Sequence, residues 1–379
     1  MRIAVDAFPL AARSASGIPN YLRGTLRALA ALDGENRYYL YSRNPVAFAP
    51  GGNFAARSSP RAKEGSTSYG NTAWLFTRGV MMMRKDGVQV FWGPRHMLPP
   101  VLPGGVRSVL TVHDLVWRHY PETMERYNLL IMKAVAERSI RAADHIIAVS
   151  EATARSLAEV FAVPRERITV VHNGAGDYSP LDREESALYI SGRYGVLKKY
   201  FLTVSTVEPR KNLVTLLRAF SRLGAGGVQL VVAGASGWKT SGLSREYERL
   251  GLTEDRVKFL GFVPQEDMNR LYSGAALFLF PSIYEGFGMP PLEAMASGTP
   301  VIASNSSSLP EVVGDAGVLL DPMDEDAWAE AMAGALARPE GMEATREAAL
   351  RRARSFSWEK AARETLGVFQ RVLGAPRTG

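Results

Sequence analysis

The chain has 379 residues, 46% hydrophobic and 22% charged. These are the proportions of an ordinary globular protein long enough for two domains, and they exclude extended disorder. It contains no cysteine, which excludes disulfides and thiolate chemistry and fits a cytoplasmic enzyme. The formal charge of +7 is uneven: residues 1–185 carry 23 Lys+Arg against 17 Asp+Glu, the remainder 22 against 21. With no nucleic-acid-binding signature beside it, the basic half suits an anionic lipid, a phosphate-bearing acceptor or a merely solvated surface.

Met1 to Asp6 run straight into a strand without the pattern of a signal peptide. No run approaches the roughly 20 apolar residues of a spanning helix, so any membrane contact is expected to be peripheral. From there, strand-like runs alternate with amphipathic helical stretches, the pattern of parallel sheets covered by helices. First-half strands are expected at residues 3–6, 38–41, 88–92, 108–112, 145–149 and 168–171. Ser16-Gly17-Ile18-Pro19 follows the first of them, and Gly17 can bring backbone N–H groups against a phosphate, although Pro19 removes one donor. Residues 45–71, rich in Gly, Ser, Pro and Ala, read as a mobile surface loop. Trp74-Leu75-Phe76 and Val80 to Met83, followed by Arg84 and Lys85, form either a core-facing helix or one lying in a membrane interface. His113 and Asp114 leave the strand 108–112 at its carboxyl end, with His119 and Tyr120 close behind. Ser150, at the end of the next strand, either caps a helix or lines a cleft. Asn173 and Gly174 end the last.

Residues 174–186 have the composition of a linker, with a hinge near 177–180. Second-half strands are expected at 200–204, 229–233, 257–260, 277–280 and 300–303. After the first comes Glu208-Pro209-Arg210-Lys211-Asn212, ahead of a helix near Leu213. There Arg210 can fork onto two oxygens of a diphosphate while Lys211 supplies a point charge. The most informative stretch is Glu285-Gly286-Phe287-Gly288-Met289-Pro290-Pro291-Leu292-Glu293. Glu285 lies on the loop leaving a strand's carboxyl end, where open α/β sheets bind ligands. Pro290 and Pro291 suit the first turn of the helix that carries Glu293. On bare spacing alone, a helix start with acids favoured by the macrodipole fits equally well. Two patterns are decoys: Asp324-Glu325-Asp326 reads as first-turn acids rather than a metal site, and Gly234-Ala235-Ser236-Gly237 lacks the dinucleotide glycine order. Ser357 caps a last helix reaching about Val372.

Glu285 and Glu293 match the E-x7-E signature of retaining GT-B glycosyltransferases, and the order of motifs resembles family 4 of that group over nearly the whole chain. The resemblance implies an α/β GT-B fold of two Rossmann-like domains whose parallel sheets face across a deep cleft. Residues 1–176 would form the acceptor-side domain, with the terminal helix 358–379 packing back on it, and 177–357 the donor-binding domain. It assigns catalysis to His113, Glu285, Arg210 and Lys211. Donor binding goes to Gly17, Arg210, Lys211, Val263, Glu285, Gly286, Phe287, Gly288, Met289 and Glu293, with Glu293 on the ribose hydroxyls and the Gly261-Phe262-Val263-Pro264 backbone facing the base. Phe262 itself reads equally well as core. Asp114, His119, Ser150 and Asn173 would line the acceptor cleft.

The implied reaction is transfer of a sugar from a nucleotide-diphosphate donor with retention, without cofactor or essential metal because Arg210 and Lys211 take up the leaving group's charge. No second carboxylate presents itself as a nucleophile, which favours same-face attack by the acceptor. His113-Asp114-Leu115, Pro121-Glu122-Thr123-Met124 and the run from Ser306 to Val313 resemble bacterial mannosyl- and rhamnosyltransferases of polysaccharide assembly. They point to GDP-mannose as donor and to a glycan or lipid-linked saccharide acceptor at the inner membrane face. A UDP- or dTDP-sugar donor, a nucleotide-sugar epimerase on the same fold, and a nicotinamide oxidoreductase are the alternatives. The missing G-x-G-x-x-G argues against the last.

Overall fold

Parallel strands covered on both faces must be apolar on both faces, and the short apolar runs of this chain assemble accordingly. The structure, a computed structural model, describes all residues except 12–16, 49, 60–67, 198, 225–226, 236, 239–240, 339–341 and 376–379. Seven strands form a first sheet: β1 (Arg2–Asp6), β2 (Arg37–Tyr41), β3 (Phe54–Arg57), β4 (Val90–Gly93), β5 (Arg107–Val112), β6 (His145–Ala148) and β7 (Ile168–Val170), in the order β3-β2-β1-β4-β5-β6-β7. Six form a second: β8 (Tyr200–Val204), β9 (Gln229–Ala233), β10 (Val257–Gly261), β11 (Leu277–Phe280), β12 (Val301–Ser304) and β13 (Val318–Leu320), in the order β10-β9-β8-β11-β12-β13. Every pairing in both sheets is parallel. In each, strand order reverses beside the first-formed strand, between β1 and β4 and between β8 and β11. Ligands of open α/β sheets bind outside the carboxyl ends of strands at such a reversal.

The chain divides into two compact units, one of residues Met1–Trp117, Arg126–Gly174 and Ser357–Gly379, the other of Arg118–Glu125 and Ala175–Phe356. The segment Arg118–Glu125, inside the span expected for the first domain, groups with the second unit. There Trp238 Nε1 donates to the Thr123 carbonyl at 2.5 Å, and the rings of His119 and Tyr120 lie 5.3 and 5.5 Å from that of Tyr284.

Each unit has its own core. In the first, Ile3, Val5, Leu40, Val90, Trp92 and Val109 pack beneath Leu22, Leu26 and Leu29 of helix Gly17–Leu32 and Val368, Phe369 and Val372 of helix Trp358–Gly374. Ser357 caps the latter, accepting from Lys360 N at 3.2 Å. Trp358 fits where two glycines leave room: a Cβ on Gly24 would stand 2.4 Å from its indole, and one on Gly174 2.4 Å from its backbone nitrogen. In the second unit Phe201, Leu216, Leu230, Leu279, Ile302 and Trp328 form the centre.

The expected loop at 45–71 is corrected in part. Residues 54–57 form β3, with Phe54 buried, and helix Ser68–Trp74 begins before the loop was expected to end. Asn71 is fully buried, and its Oδ1 accepts from Arg43 N at 2.7 Å. Residues 49 and 60–67 of that stretch lie outside the described residues. Trp74, Leu75 and Met83 are buried, whereas Met81, Arg84 and Lys85 are exposed, so the packing supports the core-facing reading for Trp74, Leu75 and Met83. Among the described residues no helix is long and apolar enough to cross a membrane.

Candidate active site

The reversal between β8 and β11 brings together the charges singled out in the sequence. The loop after β8 makes a 3₁₀ turn, Pro209–Lys211, and Asn212 at φ 54° turns the chain into helix Leu213–Ser221. The loop after β11 carries Glu285. Lys211 Nζ donates to Glu285 Oε1 at 2.5 Å, and Arg210 Nη1 lies 3.0 Å from Glu285 Oε2. Arg210 also pairs with Glu208 at 2.6 Å and donates to the Tyr284 carbonyl at 2.6 Å. Two cations and two carboxylates therefore share one largely buried site.

Burial alone would raise the Glu285 pKa. The charges of Arg210 and Lys211, with hydrogen bonds from Lys211 and Ser282, overcome it and hold the carboxylate at about 2. Burial and the Arg210 charge lower the Lys211 pKa, and Glu285 and Glu208 draw it back up. Three of the roughly four acceptor positions of the Glu285 carboxylate are thus used by Lys211, Arg210 and Ser282.

The loop from Ser282 to Gly288 is clamped by three consecutive serines that the sequence displayed without a role. Ser306 Oγ donates to the Ser282 carbonyl (3.1 Å), Ser307 Oγ accepts from Glu285 N (2.8 Å), and Ser308 Oγ donates to the Phe287 carbonyl (2.7 Å). Gly288, at φ 117°, takes a backbone conformation that favours glycine, and a Cβ there would also press on the end of the Leu309 side chain at 2.9 Å. It opens helix Met289–Ala296, which begins Met289-Pro290-Pro291 and buries Glu293. The Phe287, Gly288 and Met289 backbone thus leads into a helix N-terminus, as the glycine spacing of the sequence requires.

Glu293 lies in a different environment from Glu285. Its Oε2 accepts from the Tyr272 hydroxyl at 2.8 Å, and the Tyr178 hydroxyl also favours the ionised form. Burial outweighs both and raises its pKa to about 7. The folded value lies above the unfolded glutamate value of roughly 4.3, so its contribution to stability is complete below the latter and is lost as pH rises through about 7. Denaturant midpoints of the unliganded protein are accordingly expected to fall as pH rises across this window, and Glu293→Gln to flatten the trend. An unchanged slope in that variant would remove Glu293 as its source.

Val263 is buried. Phe262 is 63% exposed, which rules out its reading as core. Gly234 accepts no side chain, because a Cβ would lie 1.9 Å from the Ser205 carbonyl oxygen; Ser236 lies outside the described residues. Asp324 caps helix Glu325–Ala337 through Ala327 N, and Glu325 and Asp326 pair with Arg218 and Arg222.

In the first unit, the loops at the β1 and β4 reversal are tied by a buried ion pair of Asp6 and Arg95. His113, just past β5, places Nε2 2.7 Å from the Pro94 carbonyl oxygen. A carbonyl can only accept, so Nε2 carries the proton and the neutral ring keeps its lone pair on Nδ1. Burial lowers the His113 pKa against the opposing pull of Pro94 and Asp114. Its ring packs edge-on to Tyr21 at 4.9 Å and to His96 at 5.2 Å. Asp114 Oδ1 accepts from Val116 N at 3.1 Å, at the start of the short helix Val116–His119. Ser150 is wholly buried and accepts from Thr153 N at 3.0 Å, the cap reading of that residue. Asn173 is buried, and its Oδ1 has no partner among the described residues. Gly17 opens helix Gly17–Leu32, exposed, whereas Ser16 lies outside the described residues.

Family models match the chain in two parts: "Glycosyltransferase Family 4" over residues 15–175 and "Glycosyl transferases group 1" over residues 196–352. The O-antigen chain mannosyltransferase B of Escherichia coli is 34% identical over 285 residues, covering 74% of each chain. The serotype-specific mannosyltransferase WbdA of Escherichia coli is 31% identical over 70% of this chain, which spans 34% of that longer protein. Among solved structures, sucrose-phosphate synthase from Thermosynechococcus elongatus superposes with a TM-score of 0.78 at 20% identity, covering 99% of both chains, a likeness of fold.

Proposed function

The chain belongs to the glycosyltransferases of family 4, the glycosyl transferases group 1, with the GT-B fold, and we propose that it transfers mannose with retention from GDP-mannose to a growing glycan or lipid-linked saccharide. The observation that carries the reading is the joining of Arg210 and Lys211, from the loop after β8, to Glu285, from the loop after β11, at the strand-order reversal. A diphosphate leaving group gains charge as its bond to the sugar breaks. Two preorganised cations at that point therefore stabilise the transition state more than the bound donor. Glu285 and the Phe287 to Met289 backbone would face the sugar, Glu293 the ribose, and exposed Phe262 the base. His113, neutral and fixed in one tautomer, would lie near the reacting carbon. The acceptor hydroxyl attacks on the face the diphosphate leaves, and the departing phosphate takes its proton. Arg210 and Lys211 supply the positive charge that this chemistry needs, without cofactor or metal.

Mannose as the sugar is supported by the two mannosyltransferase relatives, and an O-antigen-type acceptor by the name of the first. The test is incubation with GDP-mannose and a lipid-linked mannosyl acceptor. Release of GDP only when acceptor is present, with an α-mannosyl product, is the expected result; GDP release without acceptor would favour the epimerase-type reading. A thermal-shift panel of GDP-, UDP-, dTDP- and ADP-sugars checks the donor, and stabilisation by UDP-sugars alone would overturn GDP-mannose. Gly17 offers a further check. A Cβ there meets nothing within 4 Å, so Gly17→Ala is expected to leave the melting midpoint unchanged. If its backbone approaches the donor phosphates, steady-state kinetics should show donor KM rising about tenfold.

A further inference from the structure

Where the chain enters the second unit, at residues 175–180, one side chain of an exposed stretch turns inward. Residues 176, 177, 179 and 180 are exposed, and Tyr178 between them is not. Its ring packs edge-on against Tyr272, centroids 5.5 Å apart. Its hydroxyl accepts from Gln265 Nε2 at 2.9 Å and is coupled to the charge of the Glu293 carboxylate, which Tyr272, beneath the same ring, binds directly at 2.8 Å. With its acceptor side taken by an amide donor, the phenol's single proton is directed to the carboxylate. The same stretch is held at two further points of helix Gln265–Gly274, Ser179 N on Asn269 Oδ1 at 3.4 Å and Leu181 N on Ser273 Oγ at 3.3 Å. Gln265, Asn269 and Ser273 stand at intervals of four and so form one stripe along that helix. Tyr178 is thus fixed in register against Glu293 rather than resting there by chance.

We infer that Tyr178 is a positioning residue for donor binding: with Tyr272 it orients the Glu293 carboxylate so that the acceptor positions left over face a nucleotide's ribose diol. The inference rests on the ribose role proposed for Glu293. An ionised carboxylate has about four acceptor positions. The two tyrosines occupy at most two, so at least the two that a 2′,3′-diol needs remain. No cation is required to hold the carboxylate in place. The titratable groups facing it are Tyr178 and Tyr272, with Asp177 beside Tyr178. Asp267 on the helix of Tyr272 is held by Tyr189 and Tyr194. Of the arginines on helix Met342–Ala353, Arg346 lies against Gly298 and Arg352 donates to the Glu311 and Val312 carbonyls.

Calorimetric binding of GDP and UDP to the full chain, from pH about 5.5 to about 9, tests this with wild type, Tyr178→Phe, Gln265→Met and Glu293→Gln. Wild-type affinity is expected to rise as pH climbs through the Glu293 value of about 7, because the diol donates to the ionised form. Tyr178→Phe keeps the ring on Tyr272 but removes a hydroxyl that favours ionisation. It should move the rise to higher pH and weaken binding roughly three- to tenfold at neutral pH, with the gap closing at alkaline pH. Gln265→Met should shift the profile in the same direction by less. With the 2′,3′-dideoxynucleotide, wild type and Tyr178→Phe should bind alike. Glu293→Gln should bind weakly and without pH dependence; wild-type binding by that variant would overturn the ribose reading itself. If Glu293→Gln behaves as expected while the Tyr178→Phe and Gln265→Met profiles superimpose on wild type, the positioning role of Tyr178 is overturned and the ribose reading stands.

Discussion

Replacing Lys211 by alanine is expected to lower donor turnover about ten- to a hundredfold, the loss of one charge-assisted contact of roughly 1.5 to 3 kcal/mol to a departing diphosphate. The effect should fall on kcat more than on donor KM, since the leaving group's charge is greater in the transition state than in the bound donor. Stability should suffer less than activity. Without Lys211, Glu285 still has Arg210 at 3.0 Å and the Ser282 hydroxyl at 2.5 Å, so no carboxylate is left orphaned. Arg210 makes a poorer first test, because its removal also strands Glu208 and frees the Tyr284 carbonyl. Initial rates of nucleotide-diphosphate release in the presence of acceptor provide the measurement. Unchanged rates would take Lys211 out of the reaction.

Glu285→Ala carries the largest expected cost in stability, about 3 to 5 kcal/mol, because it leaves the largely buried Lys211 ammonium without its ion-pair partner, with only the charge of Glu208 nearby. Arg210 retains Glu208, whereas Lys211 loses both its ion pair and its hydrogen bond. The sign of the pH dependence follows from the same pair. Glu285 is held at about 2, so its contribution is present above the unfolded glutamate value and is lost as pH falls toward about 2. The variant should therefore lose part of the acid sensitivity along with the stability. A diphosphate placed against Lys211 would replace the missing negative charge. Saturating GDP is accordingly expected to raise the variant's melting midpoint by more than it raises the wild type's. An equal shift in the two proteins would mean that the nucleotide does not reach these cations.

The strand pattern was legible because parallel strands buried on both faces must be continuous apolar runs. The two strands missed, β3 and β13, are short edge strands whose sequences, Phe-Ala-Ala-Arg and Val-Leu-Leu, lack such a run's length. Arg210, Lys211 and Glu285 could be read from the sequence because each follows an apolar run directly and carries a charge. Their meeting adds the fact that the cations are already neutralised by Glu208 and Glu285. What stayed hidden depends on distant partners. Tyr178 sits in a polar stretch that shows no sign of which residue turns inward, and its contacts on helix Gln265–Gly274 lie 87 to 92 residues further along. Ser306, Ser307 and Ser308 were visible, but hydroxyls directed at a loop more than 20 residues earlier leave no local pattern. Ser150 went the other way: a cap is a local event, and the sequence already offered it.

The placement of Trp358 between Gly24 and Gly174 sets an order on the birth of this protein. The first sheet is fully synthesised once β7 is made, yet its unit still lacks the indole and helix Trp358–Gly374 that cover it. Those residues follow the whole span 175–356, which forms most of the other unit. On the ribosome, the unit translated first is therefore the one finished last. Its apolar face, including Trp92 and Val109, stays uncovered while some 180 further residues emerge. For that interval the open sheet is the part of the chain most exposed to misassembly.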